Sequence, residues 1–414
     1  MEIESLAFGG DGVGRRADGK VVFVPLTVPG DRVDVRITEE RARYCRGELL
    51  AVLAPAPDRR RPPCDLFGRC GGCQWQQLTY RAQVEAKQRI FAFAVNDARN
   101  DASTAPLLPA PAELGYRRRV RLRWRRTSTR ALTLGLARRA SHDLIDVRHC
   151  PLLEPALEPG LDAVRAVLGL VPVAQGSVAI LAARTGALHA SLRPAQGERQ
   201  RELARAIEAR PELAGGQVGQ VVVGLDAVDC GQEGDTLWAS AASFVQANAA
   251  QNHELDARLG RWVEGGATIL ELFAGVGNLT RGLARRARRL VAVESSPASA
   301  ALLRRNTADL PCAVEAVHAR VEEEVPRRAA RGERFDVVVL DPPREGCARA
   351  TLEAVASLGP GRLVYVSCDP MTLARDLKHL AALGLRLVEV RPLDMMPQTF
   401  HVEALALLAR GEER

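Results

Sequence analysis

A cysteine that ends an apolar run is the first candidate for chemistry in this sequence. In residues 362–370, RLVYVSCDP, Leu363, Val364, Tyr365 and Val366 read as a buried strand, which Ser367, Cys368, Asp369 and Pro370 then break. Ligands of open α/β sheets sit beyond the carboxyl ends of the strands, so Cys368 is placed to act as a nucleophile. A free cysteine is more often a small buried hydrophobe. Three further strand ends in the same half of the chain move the balance toward chemistry. Residues 268–273 read as a buried strand followed by Gly275, Gly277 and Asn278, then a helix; residues 290–293 end in Glu294; residues 335–340 end in Asp341, Pro342, Pro343 and Arg344. Glycines at the first end let the backbone approach a ligand, and an acid at the second can accept hydrogen bonds from two ribose hydroxyls. The first loop lacks a full GxGxxG, with Thr280 falling after Asn278 and Leu279. That tilts against a dinucleotide and toward S-adenosylmethionine, whose charge is a sulfonium rather than a pyrophosphate.

A second constellation is Cys64-Asp-Leu-Phe-Gly-Arg-Cys70-Gly-Gly-Cys73. Gly71 and Gly72 allow the backbone to wrap closely around something bound between Cys70 and Cys73. Four thiolates bind zinc or an iron–sulfur cluster, and Cys150 in HDLIDVRHCPLL is the best fourth ligand. Its neighbour His149 is a rival, better read as a surface residue. Zinc ribbons usually pair two CxxC knuckles and this chain has one, so spacing leaves zinc and iron–sulfur both open.

The elements that must position these residues fall into three stretches. At 414 residues with 47% apolar content the chain holds two or three domains with real cores. Residues 1–55 read as a small β-barrel, with strands at 20–24, 32–37 and 47–53 separated by Gly/Asp turns. Residues 54–63, APAPDRRRPP, form a Pro/Arg linker in which Arg59, Arg60 and Arg61 either meet phosphates or face solvent as a hinge. Residues 56–240 make a central α+β domain with a helix predicted over 74–93 and a loop over 97–112. Within it, YRRRVRLRWRR (116–126) alternates arginine with Val120, Leu122 and Trp124, a strand with one apolar and one basic face suited to RNA phosphates. Residues 241–414 make a doubly wound α/β domain, entered by a helix over 243–255.

Charge and composition narrow the partners. The net charge is +7, carried almost wholly by arginine, since only Lys20, Lys87 and Lys378 are lysines. This favours a polyanion such as nucleic acid. Aromatic residues are only 4% of the chain, which argues against extended base stacking. No apolar run reaches the roughly 18 residues of a membrane span. The start, MEIESLAFGGDG, is no secretory signal, and nine unevenly placed cysteines do not suggest a disulfide framework, so a cytoplasmic protein without a membrane partner is expected.

The segments ELFAGVGNLT, VAVESS, VVVLDPPREG, VYVSCDPMTLARDL and PLDMMPQTFHVEALALL together resemble the RNA uracil-5-methyltransferase family. The run GGDGVGRRADGKVVFVPLTVPGD resembles a TRAM domain, an OB-like RNA-binding barrel. With the cysteine cluster the likeness spans nearly the whole chain, least over 160–240. It implies a class I methyltransferase domain using S-adenosylmethionine and a 4Fe–4S cluster on Cys64, Cys70, Cys73 and Cys150. It implies Cys368 as the nucleophile that adds to uracil C6 and Glu403, in FHVE, as the base that removes the C5 proton. Gln246, Phe273, Asn278, Glu294 and Asp341 match family positions around the cofactor. A further cofactor contact of the family falls near Arg320, where this chain departs from the pattern, so it is not carried over. A TRAM domain with a cluster is typical of the bacterial 23S ribosomal RNA enzymes. This makes 23S ribosomal RNA the expected substrate, transfer RNA the alternative, and a monomer the expected state. From another class, the chain could be a non-catalytic RNA-binding or assembly factor, against which the intact Cys368 and Glu403 argue.

Overall fold

The computed structural model describes residues 1–98, 102–127 and 131–411. The chain opens with β1 (Ile3–Leu6), β2 (Gly12–Arg15), β3 (Val21–Val24), β4 (Arg32–Glu40) and β5 (Tyr44–Ala54), ordered β1-β2-β3-β5-β4 in one sheet. The sheet closes where Glu2 bridges Arg32 and the Ile3 N–H donates to the Asp31 carbonyl at 2.9 Å. Ile3, Val22, Val24, Val33 and Cys45 fill the interior. The pattern of glycine and aspartate hid β1 and β2, which are only four residues each and end in turns.

The Pro/Arg segment after the barrel is neither a hinge nor a row of free cations. Arg59 closes on the buried Asp31 carboxylate at 2.6 Å and on the Leu26 carbonyl at 3.0 Å. Arg60 forks onto Glu113 at 3.0 and 2.7 Å and reaches the Gln398 Oε1 at 3.1 Å. A buried carboxylate without a cation is strongly destabilising, so Asp31 claims Arg59. Only Arg61 is exposed.

The first helix, α1 (Tyr80–Val95), begins six residues later than the apolar spacing suggested. Thr79 caps it by accepting the Ala82 N–H, and the preceding Trp75–Leu78 segment is a buried turn. Although α1 lies in the stretch assigned to the central domain, its Phe91 and Val95 pack into the core of the C-terminal sheet. The predicted loop that follows carries a two-residue strand, Ser103–Thr104.

The central sheet comprises β6 (Arg119–Arg126), β7 (Leu132–Ala137), β8 (Leu144–Asp146), β9 (Gln175–Ala182), β10 (Leu188–Pro194), β11 (Leu213–Val218) and β12 (Val221–Gly224). Its order is β12-β11-β10-β9-β6-β7-β8. Helices α2 (Glu158–Leu170) and α3 (Gln200–Glu208) bury Val164, Leu168, Leu203 and Ile207 against Leu122, Trp124, Ile180 and Leu192.

The last body starts with α4 (Ala249–Trp262), capped by the Asn248 Oδ1, which accepts the Gln251 N–H at 3.2 Å. This helix begins six residues after the predicted start, because 243–247 form a loop. Seven strands follow: β13 (Ala267–Leu272), β14 (Ala287–Glu294), β15 (Val314–His318), β16 (Val337–Leu340), β17 (Arg362–Ser367), β18 (Leu385–Leu393) and β19 (Glu403–Arg410). They are ordered β15-β14-β13-β16-β17-β19-β18, and Ser103–Thr104 adds an edge beside β18. Helices α5 (Thr280–Ala284), α6 (Pro297–Thr307), α7 (Val321–Ala330), α8 (Arg349–Ser357) and α9 (Pro370–Ala382) connect them. All pairings among β13–β17 are parallel, and the near-continuous Val/Leu/Ile runs match a sheet buried on both faces. Only β19 runs the other way, between β17 and β18. That reversal brings the first residue of β19 to the edge where the parallel strands end.

Candidate active site

Along that edge the ends of β13, β14, β16 and β17 come together with the start of β19, as expected for the first four. After β13, Phe273 takes a positive φ of 64°, a strained conformation for a bulky residue that turns the chain out of the sheet. Gly275 follows at φ 59°, and a Cβ there would face open space. Gly277, at φ 94°, lies close under Leu303. The Glu294 carboxylate accepts the Gly275 N–H at 2.9 Å and the Ser296 N–H at 2.6 Å, so it holds both the first loop and its own. Asn278 exchanges two amide hydrogen bonds with Asn252 of α4, at 2.9 and 2.8 Å. Gln246 is buried in the loop before α4, its carbonyl accepting the Arg118 Nε at 3.1 Å.

Sequence reasoning missed Glu271, one residue before the end of β13. It is buried, and burial pushes its carboxyl up to about 8, with Asp341, Asp256 and Glu294 adding to the rise. The Thr280 hydroxyl beside it opposes the rise. A concentration of acids around an open glycine turn suits a ligand that brings positive charge, as the ammonium and sulfonium of S-adenosylmethionine do. An acid set among Ile269, Leu270 and Leu272 in the strand was the signal available in the sequence.

Cys368 and Glu403 come together at one end of the β17–β19 ladder. The antiparallel register ends with Ser367 opposite Ala404, so Cys368 follows the one and Glu403 precedes the other, and the Glu403 carboxylate acts on the Cys368 thiol. Burial pushes the Cys368 thiol up to about 12, with Glu403 and Asp341 raising it and Arg344 opposing them. Burial likewise pushes the Glu403 carboxyl up to about 8, again with Asp341 raising and Arg344 lowering it. Asp341, one residue past β16, is pushed up to about 7 by burial. Asp341 caps no helix, since α8 begins after Ala348. Asp369 instead caps α9, accepting the Met371 and Thr372 N–H groups at 2.9 and 3.0 Å.

The segment 394–402, which delivers Glu403, is pinned by residues that the sequence did not single out. Gln398 takes a positive φ of 69° and is wholly buried. Its carbonyl accepts the Gln74 and Trp75 N–H groups, both at 3.1 Å. Its side chain bonds Gln83, Arg60 and Glu113 at 3.0, 3.1 and 3.0 Å. Lys87 of α1 donates to Asp394 at 2.6 Å and to the Met396 carbonyl at 3.0 Å, with both ionic side chains fully buried.

Cys64, Cys70, Cys73 and Cys150 line one cavity of about 100 Å³, closed by Leu66, Phe67, Leu136 and Arg117. The Gly72 N–H points at the Cys70 Sγ at 3.4 Å. Burial raises the Cys73 thiol to about 12 and raises Cys70 and Cys150 as well. Among the described residues no group of three or more His, Cys, Asp or Glu is arranged to hold a metal ion. His149 is largely exposed and pairs with Glu158, as a surface residue does.

The basic strand keeps its two faces. Leu122 and Trp124 are buried while Arg121, Arg123 and Arg125 are exposed on β6. Arg123 and Arg125 line a cleft of about 300 Å³ with His142 and Arg193. Arg320 is exposed and pairs with Glu322 at 3.6 Å. No helix among the described residues is long and apolar enough to cross a membrane.

Comparison with known proteins matches these two ends of the chain separately. Residues 237–411 fit the family described as tRNA (Uracil-5-)-methyltransferase, and residues 2–50 fit the TRAM domain. An uncharacterized RNA methyltransferase of Thermosynechococcus vestitus is 35% identical over 99% of this chain and 97% of its own. The 23S rRNA (uracil(1939)-C(5))-methyltransferase RlmD of Pectobacterium atrosepticum is 35% identical over 98% of this chain and 92% of its own. The crystal structure of the Pyrococcus abyssi tRNA (uracil-54, C5)-methyltransferase with S-adenosyl-L-homocysteine superposes with a TM-score of 0.78. At 22% identity it covers 99% of this chain and all of that one, a likeness of fold. With relatives this similar along the whole chain, the protein belongs to the RNA uracil-5-methyltransferase family and carries a TRAM domain at its N-terminal end.

Proposed function

We propose that this protein transfers a methyl group from S-adenosylmethionine to C5 of a uridine in 23S ribosomal RNA. The observation that carries the chemistry is that Cys368 and Glu403 flank the last pair of the β17–β19 ladder, where the acid acts directly on the thiol. The RlmD relatives at 35% identity support the substrate, and their uridine 1939 is the position to examine first. Transfer RNA remains the alternative substrate.

Uracil C5 is too weak a nucleophile to take a methyl group unaided. Addition of the Cys368 thiolate to C6 forms a C–S bond and pushes the ring electrons toward C5, dividing one hard step into easier ones. The cofactor would supply an electrophilic methyl on a sulfonium, leaving as a neutral thioether. Glu294 would hold its ribose, Phe273, Asn278 and Gln246 its remaining contacts, and Asp341 the boundary with the base. Positive charge beside Asp341 offsets the carboxylates that keep Cys368 protonated. Once C5 bears both methyl and proton, Glu403 takes the proton, the C5–C6 double bond returns and the thiolate leaves. A carboxyl raised to about 8 is a far better base than an ordinary glutamate.

The four cysteines of the closed cavity would hold a 4Fe–4S cluster. All four thiols line the same cavity, and the family resemblance is what favours iron–sulfur over zinc there. The cluster would staple Cys64–Cys73 to Cys150, since methyl transfer itself consumes no electron. Anaerobic reconstitution should yield about four irons per chain, lost in Cys73→Ser; one zinc per chain would refute this assignment.

The substrate is tested by incubating unmodified 23S ribosomal RNA and transfer RNA with methyl-labelled cofactor and analysing the nucleosides. Label in 5-methyluridine from 23S ribosomal RNA is expected. Label from transfer RNA alone would overturn the substrate, and none from either would favour an RNA-binding assembly factor.

A further inference from the structure

Aromatic residues are only 4% of this chain, yet two phenylalanines from opposite ends of the sequence meet beside the proposed catalytic base. Phe8 sits in the turn between β1 and β2, and its ring is 37% exposed. It meets Phe400 edge to face, centroids 5.3 Å apart and planes at 84°. Phe400 in turn lies against the His401 imidazole at 4.3 Å, and both are half-buried. These two residues precede Val402 and Glu403. Arg344, exposed, approaches the His401 Nε2 at 3.4 Å.

The Phe8 turn is held in place rather than merely nearby. The Trp75 Nε1 donates to the Gly10 carbonyl at 3.0 Å, and Arg139 donates to Asp11 at 2.8 Å. Gly10 has a φ of 98°, and a Cβ there would meet Gln74 at 2.8 Å and Phe400 at 3.4 Å. Phe400 packs against the core around Leu6, Trp75 and Leu78, but the Phe8 ring that meets it stays partly in water, so core packing accounts for the one ring and not for the other. Exposed aromatic surface next to a cation is what an unpaired nucleobase and its phosphate would recognise.

We propose that Phe8, Phe400 and His401 form a stacking platform for the base adjacent to the target uridine, with Arg344 on the connecting phosphate. The proposal rests on the reading of the protein as a uridine methyltransferase. A uridine must leave its stack to reach Cys368, at a cost of a few kcal/mol, and its neighbour then loses a partner. An aromatic face beside the catalytic loop replaces that partner and opposes restacking. The barrel would thus complete the substrate site rather than only add affinity at a distance.

The test uses the full chain and hairpin RNAs spanning the uridine equivalent to 1939 of the relatives. Each RNA carries 2-aminopurine on the 5′ or the 3′ side of that uridine. Stacking should quench the fluorescence of one of the two on binding to the unaltered protein. Phe8→Leu should restore that fluorescence and raise KM for RNA about tenfold, the size of one base–aromatic contact, with cofactor affinity unchanged. Phe8→Trp should keep the quenching. Absence of quenching on either side with the unaltered protein overturns the platform, whatever the variants do. So does Phe8→Leu that methylates and quenches like the unaltered protein. If the unaltered protein binds but methylates neither this RNA nor transfer RNA, the uridine reading falls and the platform falls with it.

Discussion

Glu403 gains its basicity from where it lies, since burial and Asp341 both hold its proton. If it acts last, as a base, its loss should stall the reaction after the C–S bond has formed. Glu403→Gln should therefore accumulate a covalent protein–RNA adduct, seen as a shifted band under denaturing conditions, while turnover falls by at least 10²-fold. Cys368→Ala should give neither adduct nor product. The raised acids also set a pH dependence of stability. Glu271, Glu403 and Asp341 hold protons in the folded protein that the unfolded chain releases above about pH 4. The folded state thus binds more protons between about pH 4 and 8, and stability falls as pH rises through that window. Thermal melts of the cofactor-free protein should show Tm falling from pH 5 to 8, and Glu271→Gln should flatten the slope. Cys368, Glu294 and Asp341 were legible because each ends a recognisable strand. Glu403 was legible only through family resemblance, because its place depends on an antiparallel pairing that local pattern does not specify.

Elements were read well where burial imposes a period and poorly where a cap or a long-range contact decides. The alternation on β6 survives intact, and its exposed arginines give a direct prediction. Arg123→Ala and Arg125→Ala should each weaken RNA binding and reduce the slope of log affinity against log salt by about 0.7–0.9. Cofactor affinity measured in the same samples should not move. Helix α1 began late because Thr79, not the apolar spacing, sets its start. Its buried Lys87 ties it to Asp394, and a lone charge left in that place is costly. Lys87→Met should lower stability by about 3–5 kcal/mol, and pairing it with Asp394→Leu should recover much of the loss in denaturant melts.

For the whole molecule, the three bodies are joined by polar contacts that no local pattern foretold. The Arg60–Gln398 bond spans 338 residues of sequence, and the Gln74 and Trp75 amides hold the same Gln398. The cysteine motif, the barrel turn and the catalytic segment therefore share one scaffold, where the sequence left the Pro/Arg stretch open between phosphate contacts and a solvated hinge. The barrel and the doubly wound body were foreseen from turns and strand ends; their mutual docking was not. Central to the proposed mechanism is that Cys368 attacks uracil C6 and that C5 then exchanges its hydrogen for a methyl group. Tritium release from 23S ribosomal RNA labelled at uridine C5, measured with S-adenosylmethionine for the unaltered protein and Cys368→Ala, tests it most directly. Release equal to the methyl groups incorporated is expected, abolished in Cys368→Ala. Methylation without tritium release, or release that persists in Cys368→Ala, would contradict it.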